Sequence, residues 1–222
     1  MLRRILASMD IAAQDDRVEP IPGALWERLR AQPTRAPEHL ALAALDRFAD
    51  PAARWAEMMR AHHTGPEIGK IAVAKHRRLS RLEGAALGLG GFFTAAGDFA
   101  ALAWLQCRLV FFVAAGYGFD PHHEMRPAEL LFLTGIYPSP AAARESLDGV
   151  GRSMAVHFVD QKTSGGDDDK SLIAELARFG GTYAAKKGLV KMIPIIASPI
   201  NSVQNAHATD ELGTKAMKFY GG

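Results

Sequence analysis

A single cysteine, Cys107, stands in 222 residues, so no internal disulfide can close and a reducing compartment is expected. Charge of one sign is also scarce. The formal balance of +2 argues against a protein that coats nucleic acid. Long apolar runs are missing. Met1 to Asp10 holds too few apolar residues for a secretory signal, and no charge-free stretch reaches the roughly 20 residues that span a bilayer. There is no run of alternating strands and no fixed-period repeat. A phosphate loop, a paired-CxxC cluster and a serine nucleophile elbow are all absent, and Gly88-Leu89-Gly90-Gly91 completes no dinucleotide fingerprint. The sequence therefore offers no catalytic residue, no cofactor motif and no metal site, and it weighs against an enzyme.

What remains is helix signal. Leu25, Trp26 and Leu29 follow Pro22-Gly23 as a short amphipathic stretch. Asp50-Pro51, Gly65-Pro66-Glu67, Asp120-Pro121, Arg126-Pro127 and Ser139-Pro140 each read as a helix start with proline in the first turn. The polar run Ser164–Asp169 reads as a loop, with Asp169 or Ser171 capping the next helix. Pro194 and Pro199 interrupt the C-terminal region, which ends in a short amphipathic piece through Phe219. The expectation is an all-α, single helical domain over residues 65–222, preceded by a helical N-terminal extension over residues 1–64.

Charge is distributed unevenly. Residues 1–60 are balanced, 61–119 carry net +3, 120–170 net −4 and 171–222 net +3. Within the first basic segment lies the most informative stretch, 84–119, whose only charged side chains are Asp98 and Arg108. Gly97-Asp98 reads as a turn and cap, which predicts a central apolar, glycine-rich helical hairpin. Gly84, Gly88, Gly91 and Ala95 fall on one stripe at i, i+4, i+7 and i+11, where small residues let another backbone approach. Gly180, Ala184 and Gly188 form a second small-residue set.

The run from Ser80 to Leu102, with Gly84, Gly88, Gly90, Gly91 and Gly97-Asp98, resembles the glycine-rich hairpin of the EcsC family. Gln106-Cys107-Arg108-Leu109-Val110 leading to Tyr117-Gly118-Phe119-Asp120 is similar to it as well. Ile193-Pro194 and the spacing Asn205, Thr209, Gly213, Ala216 resemble that family's last helical hairpin. The resemblance covers residues 65–222. It implies a helical protein, with some relatives encoded beside transporter genes and suspected of peripheral membrane association.

Asp98 reads first as the N-cap of a helix from Phe99 and second as a ligand-binding group. Arg108 reads first as a snorkelling or paired arginine and second as a site for an anionic headgroup or ligand carboxylate. His62-His63 and His122-His123-Glu124 lack metal-ligand spacing and read as loop residues. His76 reads as part of a solvated face, and Cys107 as a small core residue. From Glu67 to Glu83, Ile68, Ile71, Ala72, Leu79 and Leu82 share one side at 100° per residue, with Lys70, Arg77 and Arg81 opposite. Lys75 falls on the apolar side. Lys70, Lys75, Arg77, Arg78 and Arg81, with Lys186, Lys187 and Lys191, are the membrane-contact candidates. The function expected is a peripheral, lipid-contacting accessory protein of a transport or envelope system, cytoplasmic and on the inner face of the cell membrane. Its expected partners are an anionic membrane surface or lipid, or a protein. The alternative is a small-molecule-binding protein or enzyme using Asp98 and Arg108 in a bundle pocket.

Overall fold

The computed structural model describes residues 19–87, 95–156, 168–180 and 202–222, which form eight α-helices and no strand. Helix α1 (Gly23–Ala31) buries Leu25 and Leu29, one turn apart, and a 3-10 turn at Pro33–Arg35 leads into α2 (Ala36–Arg60). The sequence placed a helix start at Asp50-Pro51. Instead α2 runs through Pro51 without a break. An internal proline costs about 3 kcal/mol, but Phe48, Ala49, Ala52, Trp55 and Ala56 are buried on both sides of it and hold the helix straight through.

Helix α3 (Gly65–Leu87) begins where expected, because Thr64 and Glu67 form half of a capping box. The Thr64 amide and hydroxyl both donate to Glu67 Oε2, at 2.8 and 2.9 Å. Helix α4 (Ala95–Gly116) starts three residues before the expected Asp98 cap. Gly97-Asp98 is therefore inside its first turn and is not the hairpin turn. Ala95 and Ala96 favour helix strongly enough to extend the start. Gly88 and Gly91 lie outside the described residues, and Gly84 and Ala95 belong to two different helices, so they do not form one stripe on one helix.

Helix α4 ends by a Schellman arrangement: Gly118 takes φ +91°, Phe119 N–H donates to Ala114 O, and Gly118 N–H to Ala115 O. Asp120-Pro121 then opens a turn, not a helix; α5 (Arg126–Leu133) follows with proline in its first turn. The Ser139 hydroxyl accepts from Ala142 N–H and starts α6 (Pro140–Val156). Helix α7 (Asp168–Gly180) begins at Asp168, so Asp169 and Ser171 sit in its first turn rather than capping it. Gly180 ends α7; Ala184 and Gly188, like Pro194 and Pro199, lie outside the described residues. Helix α8 (Ser202–Gly221) is a full 20 residues, longer than the short piece expected.

Helix α4 is the axis of the molecule. Every side chain described from Leu102 to Ala115 is buried, with α2, α3, α7 and α8 packed around it. Ring contacts of Phe48 with Trp104 (4.6 Å) and Trp55 with Phe112 (5.2 Å), and the Arg60 bond to Ala115 O, run α2 parallel to α4. Gly65 lies against Gly116 and Tyr117, and His76 against Phe112, so α3 is antiparallel to α4. Helix α8 is antiparallel to α3, with Met217 on Gly69, Gly213 on Val73, and Asp210 paired to Arg77 at 3.3 Å. Residues of α1 and α2 join the same hydrophobic core as those of α3 to α8.

Phe99–Gly116 is long and apolar enough to cross a membrane, a length hidden when stretches are counted between charges, because Arg108 interrupts it. That window is 89% buried inside the protein. Its apolar surface is satisfied by neighbouring helices.

Candidate functional site

Helix α3 carries two kinds of chemistry on opposite sides. Its outward face presents Lys70, Arg77 and Arg81 along one stripe, with Arg78 about 60° or more to one side of them, and all four are exposed. Its inward face buries Ile68, Ala72, Val73, His76, Leu79 and Ser80. The helical wheel that put Ala72 and Leu79 inside explains this, since 100° per residue carries each apolar position to the core side. Arg77 pairs with Asp210 across to α8. Lys75 is half-buried, as its place on the apolar side required, with its Nζ 5.9 Å from the centre of the Trp55 ring and 5.7 Å from that of Phe112. It is a cation–π contact inside the bundle rather than a member of the outward stripe. Lys186, Lys187 and Lys191 lie outside the described residues.

His76 is not on the solvated face: it is fully buried. Residue 76 lies only 40° from Ala72 on the wheel, so the apolar arc that buries Ala72 takes the histidine with it. The Ala72 carbonyl can only accept, so His76 Nδ1 carries the proton and donates at 2.8 Å. Nε2 is left a buried acceptor with no hydrogen-bond partner. Burial first, and the Arg108 guanidinium second, push its pKa from 6.5 down to about 3. The ring is neutral at physiological pH.

Arg108 is buried, its guanidinium 5.1 Å from the centre of the Phe112 ring. Asp98 is the fourth residue of the same helix, and its side chain lies outside what is described. Ten residues along one helix is about 15 Å. The structure therefore does not bring the two ligand-binding candidates together through α4 alone. Cys107 is buried, and burial pushes its thiol pKa well up, which makes it a core residue with little thiolate character.

The loop histidines are exposed. His122 bonds Asp50 through Nε2 at 2.7 Å and faces Asp120 through Nδ1 at 3.3 Å, and the Asp50 bond chiefly raises its pKa. Among the described residues no group of three or more His, Cys, Asp or Glu is placed to hold a metal ion.

Two side-chain clusters had no sequence signal, because each joins distant segments. Glu38 Oε1 accepts from Tyr137 at 2.5 Å and from Ser146 at 3.2 Å, tying the start of α2 to α6. The Arg126 guanidinium lies against both the Phe119 and Tyr220 rings, 5.4 and 5.3 Å from their centres, and pairs with Glu129, which also accepts from the Tyr220 hydroxyl at 2.7 Å.

The EcsC protein family model matches residues 27–221. The chain belongs to the EcsC protein family. The match begins within α1, so it takes in α2 as well as the helices from α3 onward. Among curated proteins and among solved structures, nothing matches.

Proposed function

We propose that this EcsC family member is a peripheral accessory protein of a transport or envelope system, contacting anionic lipid through the outward face of α3. The observation that carries the reading is the exposure of Lys70, Arg77, Arg78 and Arg81 on one broad face, while the apolar α4 is enclosed. A cation near an anionic surface contributes on the order of 1 kcal/mol, and salt screens it. Such a face, even with Arg77 partly offset by Asp210, gives reversible, salt-sensitive binding. Sharing of one ligand by Asp98 and Arg108 has less support, given their separation along α4.

Vesicle co-flotation tests this. The chain is expected to float with anionic vesicles at low salt, to be released at high salt, and to bind neutral vesicles poorly. Replacing Arg77, Arg78 and Arg81 with glutamine should abolish most of the low-salt binding. Absence of low-salt flotation by the native chain rejects the reading, and salt-resistant binding that needs detergent for release would mean that α4 inserts.

A further inference from the structure

Three large apolar side chains are exposed among the described residues: Phe119 (42%), Phe219 (38%) and Met58 (37%). Scattered singly, such residues need no explanation. Here they share one end of the bundle. Helices α2, α4 and α8 run parallel and all terminate there, and Met58, Phe119 and Phe219 lie within three residues of those three ends. Two of them belong to a continuous aromatic cluster. Tyr220 touches Phe119 at 5.1 Å and Phe219 at 5.0 Å between ring centres, and Phe219 touches Phe132 at 5.7 Å. The buried Arg126 guanidinium, stacked on Phe119 and Tyr220, holds this cluster from beneath.

The surrounding charge selects the occupant: of the exposed charges at this end that are outside ion pairs among the described residues, Arg60, Lys70, Lys215 and Lys218 outnumber Glu57 and Glu67. The acids of the 120–129 stretch are all engaged within the protein: Asp120 with His122, Glu124 with Arg144, Glu129 with Arg126. On α8, Asp210 pairs with Arg77 and Glu211 with His207. Lys215 and Lys218 are exposed and make no ion pair among the described residues. Lys215 lies one helical turn from Phe219, on its side of the helix. Uncompensated lysine beside half-exposed aromatic rings is the chemistry of an interfacial anchor on anionic lipid. Lys70, where the α3 stripe begins, lies at this same end of the bundle.

We infer that this end enters the headgroup layer of an anionic phospholipid bilayer, with Phe119 and Phe219 as the inserted side chains and Lys215 and Lys218 beside the lipid phosphates. The inference rests on the proposed lipid contact and adds which end of the bundle goes in.

The test places an environment-sensitive fluorophore on Phe119→Cys and, separately, on Phe219→Cys, leaving the other ring in place each time. Cys107 is buried, and the native chain serves as its labelling control. Thr34→Cys is the reference site, because Thr34 is exposed in the turn just before α2 begins, at the opposite end of the bundle. With vesicles of phosphatidylglycerol and phosphatidylcholine, both tip probes should shift to the blue and be quenched by a headgroup-depth quencher, and the reference should do neither. Unlabelled Phe219→Ser should weaken vesicle affinity about tenfold or more, the loss of one buried ring. Flotation with the tip probes still in water would overturn the inference and leave the α3 contact standing. No flotation at all would overturn both. A tip probe that shifts without vesicles, in step with dimer formation, would make a second copy of the chain the occupant and also overturn it.

Discussion

A buried histidine changes how stability follows pH. His76 has a folded pKa of about 3 against the ordinary histidine value of 6.5, so between those values the unfolded chain holds a proton that the folded chain refuses. Stability from this source is complete above about pH 6.5 and is lost as pH falls towards 3. The slope approaches about 1.4 kcal/mol per pH unit for one proton. His76→Leu should therefore flatten the acid side of a denaturation-versus-pH series relative to the native chain. The shift at His39, also downward and chiefly from burial, is common to both proteins and cancels in the difference. Parallel curves from pH 6.5 to 4.5 would show that the ring is not neutral inside the bundle. The burial of His76 was legible in the sequence, since Ala72 and Val73 flank it on the wheel; its basic neighbours Lys75, Arg77 and Arg78 masked the signal.

Between elements, the tightest approaches are made by glycines, Gly213 from the C-terminal spacing and Gly69, which no spacing singled out. A Cβ on Gly213 would lie 2.5 Å from Val73 Cγ2, and one on Gly69 would lie 2.7 Å from the Tyr117 ring. Alanine gains roughly 1 kcal/mol of helix propensity over glycine, but Val73 is buried and stiff at χ1, so it cannot swing away cheaply. Gly213→Ala should lower stability by about 1–2 kcal/mol net, within the range for overpacking. Urea unfolding of that variant, of Val73→Ala and of the double variant should show that the two changes together cost less than their sum. Simple additivity would mean that α3 and α8 do not meet at this point. Helix starts at Gly65 and Ser139 were readable because caps are local. Which glycine faces which helix was not, since it depends on a packing register set by partners 48 residues apart for Gly69 and Tyr117 and 140 apart for Gly213 and Val73. Pro51 misled for the same reason: a local breaker was overruled by burial on both flanks.

For the molecule as a whole, the all-α class and the central place of the apolar segment were open to reading, because a stretch with only Asp98 and Arg108 charged has to be covered by something. What covers it was not, and Arg108 hid its full length. Amides of Leu102 to Ala115 should exchange with deuterium only through global unfolding, slower than those of α1 or α6. That protection should persist on anionic vesicles if lipid is met by the outside of the bundle; its loss there would mean that α4 leaves the core. The enclosure also bears on how the chain is made. Translation is vectorial, and helical segments can form as they leave the ribosome. Helices α2 and α3 are synthesised before α4, and α7 and α8 after it. Among the described residues, the one helix long and apolar enough to cross a membrane thus follows two of the four helices that shelter it and precedes the other two, so it stays half-covered until α7 and α8 have been synthesised.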